Sequence, residues 1–162
     1  NHDMWMFGYL EEECGVKIYR SPVGLRCFGK DLWVGHGDGL GPGDYTYKIL
    51  KVIFRNPVAQ WIFARFHPNF SFMIANLWSG RSRLSNKVHD EKFLGEQEWI
   101  FQYCRDLEKE RHHDYYIFGH RHLSLEMRVN TNSTYINLGE WINDKSYAEL
   151  SPAGLSLLQF VD

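Results

Sequence analysis

Two short apolar runs, Leu32-Trp33-Val34 and Tyr115-Tyr116-Ile117-Phe118, each stop at a Gly-His dipeptide, Gly35-His36 and Gly119-His120. Runs this short suit buried strands rather than helices, and the glycines end them. Side chains on loops at strand ends are where α/β proteins place their chemistry, because the sheet fixes their geometry. Both strands must share one core, so the chain between them has to leave that core and return. With 162 residues and 19.2 kDa there is room for one such domain.

The intervening segment reads as helical. Tyr45–Asn56 places Ile49, Leu50, Ile53 and Phe54 on one face and Lys48, Lys51 and Arg55 in a stripe opposite. Pro57 permits a new helix over Val58–Phe66, which His67-Pro68 ends. Asn69 or Ser71 caps a third short helix running through Trp78 to Gly80. Glu91–Arg111 is a longer amphipathic helix with Phe93, Ile100, Cys104 and Leu107 on its apolar side. After the second strand the chain alternates and turns often. Leu123–Val129, Thr134–Leu138, Tyr147–Leu150 and Leu155–Val161 read as antiparallel strands. The pattern is α/β with a helical insert between two strands of one core.

Charge marks the insert off from its host. From Tyr45 to His89 there is no Asp or Glu, while Lys48, Lys51, Arg55, Arg65, Arg81, Arg83 and Lys87 give +7. The other 117 residues hold 11 basic and 20 acidic side chains. Nine of the 26 aromatic residues fall within Tyr45–Trp78. A surface that only meets water usually mixes signs, so this segment suits an anionic amphiphile or a lipid headgroup surface. The chain as a whole carries −2, which excludes a protein that coats nucleic acid by charge alone. Cys14, Cys27 and Cys104 are odd in number and never spaced as CxxC, so neither a disulfide scaffold nor a zinc ribbon fits, and a reducing cytoplasm does. No apolar run reaches the roughly 18 residues of a spanning helix. The opening Asn1-His2-Asp3 starts in the middle of a motif, and the chain reads as the C-terminal part of a longer protein.

Histidine carries the candidate chemistry. His36 stands in Gly35-His36-Gly37-Asp38, and His120 and His122 in Gly119-His120-Arg121-His122. Imidazole is the commonest nitrogen ligand for transition metals, and glycine before each ligand lets backbone approach without a Cβ. Two histidines at i and i+2 in such a turn can point at adjacent metal positions. His67, His89, His112 and His113 lie on polar or helical segments without a motif and read as ordinary surface or core residues.

In this order, Asn1-His2-Asp3, Gly35-His36-Gly37-Asp38 and Gly119-His120-Arg121-His122 resemble the last three signature blocks of the calcineurin-like metallophosphoesterases. The resemblance implies a two-sheet α/β sandwich flanked by helices and a dinuclear centre. Asn1, His36 and His120 match ligands of one metal ion and His122 a ligand of the other. His2 matches the histidine that stabilises the transition state or protonates the leaving oxygen, with Asp3 orienting it. Two divalent ions are implied, Mn²⁺ foremost, with Fe²⁺ or Zn²⁺ as alternatives. The family's earlier DxH and GD blocks, and with them the bridging carboxylate, would lie before Asn1.

A closer resemblance spans nearly the whole chain. His36-Gly37-Asp38-Gly39-Leu40, Asp44, the basic aromatic insert and Asn137-Leu138-Gly139-Glu140-Trp141 are similar to the UDP-2,3-diacylglucosamine hydrolases of bacterial lipid A biosynthesis. It implies hydrolysis of the substrate's pyrophosphate to UMP and 2,3-diacylglucosamine 1-phosphate. Residues 1–44 and 87–162 would belong to the phosphoesterase core and 45–86 to a helical cap. The acyl chains would lie among Phe54, Trp61, Phe63, Phe66, Phe72 and Trp78, and Asn1, Asp44, Arg81, Arg83, Ser85 and Lys87 would touch the polar part. Well-known members of that family carry Arg where this chain has His2, which keeps the general metallophosphoesterase form. The implied location is cytoplasmic, peripheral on the inner membrane, with no nucleic-acid partner. Two other classes stay open: a soluble phosphodiesterase or nucleotidase of the same fold, indifferent to acyl chains, and a non-catalytic scaffold, expected to have lost ligands.

Overall fold

The computed structural model describes residues 4–6, 8–43, 45–77 and 92–161. In chain order the elements are α1 (Tyr9–Cys14), β1 (Val23–Cys27), β2 (Lys30–Val34), α2 (Tyr45–Arg55), α3 (Pro57–Phe63), α4 (68–77), a 3₁₀ turn (Gly95–Gln97), α5 (Trp99–Glu110), β3 (Tyr115–Phe118), β4 (Ser124–Arg128), β5 (Thr134–Leu138), β6 (Ser146–Ser151) and β7 (Gly154–Gln159). The chain divides into two compact units, Asn1–Gly43 with Phe93–Asp162, and Asp44–Lys92.

The first unit is mixed α/β. Its main sheet has the order β1-β2-β3-β5-β4, and β6 and β7 form a second, two-stranded sheet. β2, β3 and β5 are parallel neighbours, with Leu32 opposite Tyr115 and Tyr115 opposite Thr134. β1 and β4 close the edges antiparallel. The expected antiparallel character of Thr134–Leu138 therefore holds toward β4 only, because β5 slots in beside β3 and runs along it. β1 joins β2 through Phe28 and Gly29, at φ 49° and 76°. Positive φ at both central residues is what a two-residue hairpin requires to match strand twist.

α5 covers one face of this sheet. Ile100, Phe101 and Cys104 pack with Tyr116, Phe118 and Tyr135 into the core, each 4% exposed or less. Alternation along β3 sends Tyr116 and Phe118 into that core, while the Tyr115 hydroxyl on the other face accepts from the Leu155 amide of β7 at 3.2 Å. Each large apolar side chain buried this way contributes about 1.5–3 kcal/mol.

The helix expected from Glu91 begins later, at Trp99. Gly95 has φ 59°, and Glu98 has φ −57° and ψ 121°, so the backbone is not α-helical there. Glu98 turns its carboxylate back to accept from the Leu94 amide at 3.0 Å.

The second unit holds α2, α3 and α4. Asn56 caps α3, its Oδ1 accepting from the amides of Val58 at 2.8 Å and Ala59 at 3.2 Å, with Pro57 in the first turn where no amide is needed. The helix expected over Val58–Phe66 stops at Phe63, and 64–66 form a turn. α4 starts at residue 68, ahead of both expected caps. The two-faced reading of α2 also changes. Leu50 and Phe54 are half-buried, but Ile49 and Ile53 are exposed and Lys48 and Lys51 are half-buried. The lysines lay their ammonium groups toward rings one turn or less away, Lys48 at 5.3 Å from the Tyr45 centroid and Lys51 at 5.9 Å from that of Tyr47. Arg65 stacks 3.8 Å over Trp61. Among the described residues no helix is long and apolar enough to cross a membrane.

Candidate active site

The hydrogen-bond ladder between β2 and β3 runs on past both strands and brings their histidines together. The Gly35 amide donates to the Ile117 carbonyl at 3.1 Å, and the Gly119 amide to the His36 carbonyl at 3.0 Å. Parallel strands put these turns on the same end of the sheet, so the imidazoles of His36 and His120 meet edge to face, centroids 5.3 Å apart and planes at 74°.

Two backbone details allow the approach. Gly37 has φ 106°, and a Cβ there would lie 2.7 Å from Cδ1 of Ile100 and 3.4 Å from the His120 Cβ. Only glycine fits between the helix and the second histidine. His120 itself has φ 67°, a left-handed conformation that a non-glycine residue holds only when its surroundings impose it. Asn137, fully buried at the end of β5, donates from Nδ2 to the Gly119 carbonyl and, at 3.1 Å, to the Tyr135 hydroxyl. Its Oδ1 accepts from the Gly139 amide at 3.2 Å.

Burial, and then the neighbouring His36, push the His120 imidazole down to about 4 against the opposing pull of Asp38. The ring is therefore neutral at neutral pH and keeps a lone pair for coordination. His36 is exposed, and His122 is near enough to lower the His120 value further. A divalent ion fits the chemistry of this pair: a neutral imidazole facing another across a glycine-lined gap. Among the described residues no group of three His, Cys, Asp or Glu side chains gathers into a metal site. The remaining expected residues, Asn1, His2, Asp3, Asp44, Trp78, Arg81, Arg83, Ser85 and Lys87, lie outside the described residues.

Of the expected acyl-groove residues, Phe54 and Phe63 are half-buried and Trp61, Phe66 and Phe72 exposed. Phe63, Phe66 and Phe70 form an edge-to-face series with centroids 6.1 and 5.3 Å apart. Phe70 had no separate mark in the sequence beyond its aromatic character.

A polar cleft of about 390 Å³ opens at the opposite end of the main sheet, lined among others by Lys30, Asp114, Tyr115 and Arg128. Lys30 and Asp114 pair there at 3.1 Å. The histidines lie instead beyond the carboxyl ends of the parallel strands, where sheets of this kind bind ligands.

Glu98 is the residue of this region that sequence reasoning missed. It is 1% exposed, and its carboxylate takes a two-pronged contact from Arg121, Nε to Oε2 at 3.0 Å and an NH2 group to Oε1 at 3.2 Å. Nothing local marks it, since its partner is 23 residues away.

A mixed α/β fold with a central sheet flanked by helices, presenting histidines from the ends of adjacent parallel strands, is consistent with a metallophosphoesterase-like fold. Comparison with known proteins narrows the likeness. A protein from Porphyromonas gingivalis named UDP-2,3-diacylglucosamine hydrolase is 32% identical over 91% of this chain and 62% of its own length. Proteins of the same name from a Shewanella species and from Pectobacterium carotovorum are each 22% identical over 97% and 99% of the chain. The chain spans 62–67% of the length of these relatives. No family model matches it.

Proposed function

We propose that this protein is a UDP-2,3-diacylglucosamine hydrolase acting with two divalent ions, Mn²⁺ foremost. The observation that carries the reading is the 32% identity over 91% of the chain to a protein of that name. The His36–His120 pair is compatible with it. His36 and His120, with Asn1, would hold one ion, and His122 would contribute to the other. Bound there, such ions polarise phosphoryl oxygens and acidify water. The pyrophosphate P–O bond breaks as water adds, giving UMP and 2,3-diacylglucosamine 1-phosphate. His2 would pass a proton to the leaving oxygen while Asp3 holds its ring. The aromatic side chains of the second unit would take the acyl chains, each buried CH₂ contributing about 0.8 kcal/mol. Asp44, Arg81, Arg83, Ser85 and Lys87 would meet the sugar phosphate. The same unit would rest on the anionic inner surface of the inner membrane.

The test is Mn²⁺-dependent release of UMP from the diacylated substrate by the full chain, followed by ³¹P NMR. Chelation should stop it, and His36→Ala should reduce it at least a hundredfold in folded protein. Undiminished turnover by the His36 variant would remove the metal assignment. Turnover of simple nucleotide esters but not of the diacylated sugar would remove the substrate.

A further inference from the structure

We propose that the buried Glu98–Arg121 pair is a positioning device that sets the His120 turn against the His36 loop; this rests on the metal-site reading above. Arg121 stands between the two histidines of Gly119-His120-Arg121-His122, and it points inward, with a side chain 11% exposed. Its two-pronged contact fixes both the distance and the plane of the guanidinium, a constraint that a single ionic contact lacks. Glu98 is fixed in turn by the Leu94 amide and by its place at the head of α5.

The same head of α5 also meets the other loop. A Cβ on Gly37 would strike Ile100, and one on Gly41, at φ 73°, would strike the Trp99 carbonyl. Three consecutive residues, Glu98, Trp99 and Ile100, therefore set both histidine-bearing turns against one rigid helix. The left-handed backbone of His120 needs such support, because an exposed turn would relax out of it.

Stability alone does not account for the pair. Desolvating two charges offsets most of their attraction, and an apolar replacement of both is often neutral or stabilising. Removing a single partner is different, since it strands a buried charge. That contrast makes the role measurable.

The experiment compares Glu98→Gln, the double replacement Glu98→Leu with Arg121→Met, and Arg105→Ala as an exposed ion-pair control on the same helix. Folding is followed by near-UV circular dichroism, Mn²⁺ affinity by electron paramagnetic resonance, and the histidine rings of metal-free protein by long-range ¹H–¹⁵N spectra. Loss of a support behind metal ligands typically weakens binding about 10–100-fold. The expected result is a folded double variant with Mn²⁺ affinity at least tenfold weaker and shifted His120 ring signals, the control matching the parent. A folded double variant with parental affinity and parental His120 signals overturns the proposal. So does a double variant that cannot fold, which makes the pair a folding element only. If the parent binds no Mn²⁺, the metal reading falls on its own. The pair is then judged on the His120 signals, unchanged signals overturning it.

Discussion

At the scale of the residue, the clearest division is between side chains that serve the histidine turns and those that hold the opposite end of the core. Glu108 belongs to the second group. Its carboxylate accepts from the Tyr116 hydroxyl at 2.5 Å, Asn130 at 2.8 Å and Ser133 at 2.9 Å, and lies 2.7 Å from Nδ1 of His112. Burial alone would raise its pKa, but the hydrogen bonds from His112, Tyr116, Asn130 and Ser133 outweigh it and hold the group down to about 2. Ser133 and Glu108 both approach the same nitrogen of His112, so this is no nucleophile–base relay, which needs them on opposite nitrogens. The consequence concerns stability. The folded state binds the Glu108 proton more weakly than the unfolded chain, so the contribution is complete above the ordinary carboxylate pKa. It is lost as pH falls from there toward about 2. Buried His113, whose pKa is lowered chiefly by desolvation, adds an acid loss that begins below its ordinary value of 6.5. The raised pKa of His112, set first by its bond to Glu108, acts in the opposite sense, with stability present below 6.5 and lost as pH rises through its folded value. Urea unfolding of Glu108→Gln should show a loss of about 1–3 kcal/mol at neutral pH, the penalty for stranding buried donors. Its stability should also vary less than the parent's between pH 5 and 3. Parallel pH profiles for parent and variant would refute this account.

At the scale of the element, what could be read from the sequence depended on whether an element's cause was local. β3 and β5 match their expected spans because apolar runs bounded by turn residues are local signals. β1 escaped notice because its hairpin turn is Phe28-Gly29 rather than the Asn-Gly or Asp-Gly pair that usually marks such turns. α5 starts later than the apolar pattern predicts because Gly95 takes a left-handed backbone and Glu98 a non-helical one, its carboxylate turned back to the Leu94 amide, and the pattern registers neither. The histidine pair was legible as two motifs, whereas its supports Glu98 and Asn137 work through tertiary contacts that spacing does not reveal. α3 offers the test at this scale. Trp61 is 58% exposed, so truncating it removes little of the fold, and Arg65 stacks on its face. If Trp61 and Phe66 take the acyl chains, Trp61→Ala and Phe66→Ala should each lower kcat/KM for the diacylated substrate at least tenfold. A water-soluble nitrophenyl phosphodiester should be cut within about twofold of the parent rate. Losing a buried aromatic contact costs a few kcal/mol, which covers such a difference. Equal losses on both substrates, in protein with unchanged circular dichroism, would make these rings structural.

At the scale of the whole molecule, the second unit is the anomaly. Its helices expose Tyr45, Ile49, Val52, Trp61, Ile62 and Phe72, and a contiguous exposed apolar patch marks an interaction surface. Its described residues also include Lys48, Lys51, Arg55, Arg65 and Lys92 and no acidic side chain. Apolar rings with cations stacked on or beside them are what an interfacial surface needs, the rings entering the headgroup boundary and the cations meeting anionic lipid. Near such a surface each basic residue contributes about 1 kcal/mol, and the attraction fades beyond about 10 Å at 0.1 M salt. The protein should therefore sediment with phosphatidylglycerol-containing vesicles at low salt and be largely released at 0.5 M NaCl, while pure phosphatidylcholine vesicles retain much less. Lys48→Glu combined with Lys51→Glu should reverse two of the seven positive charges between Tyr45 and His89 and cut the low-salt bound fraction at least tenfold. Both substitutions lie on α2, in the second unit, and should leave hydrolysis of the soluble diester unchanged. Binding that ignores salt and survives the charge reversal would mean that the rings alone hold the protein to lipid. Absence of binding to any vesicle would assign the apolar surface to the substrate or to another protein.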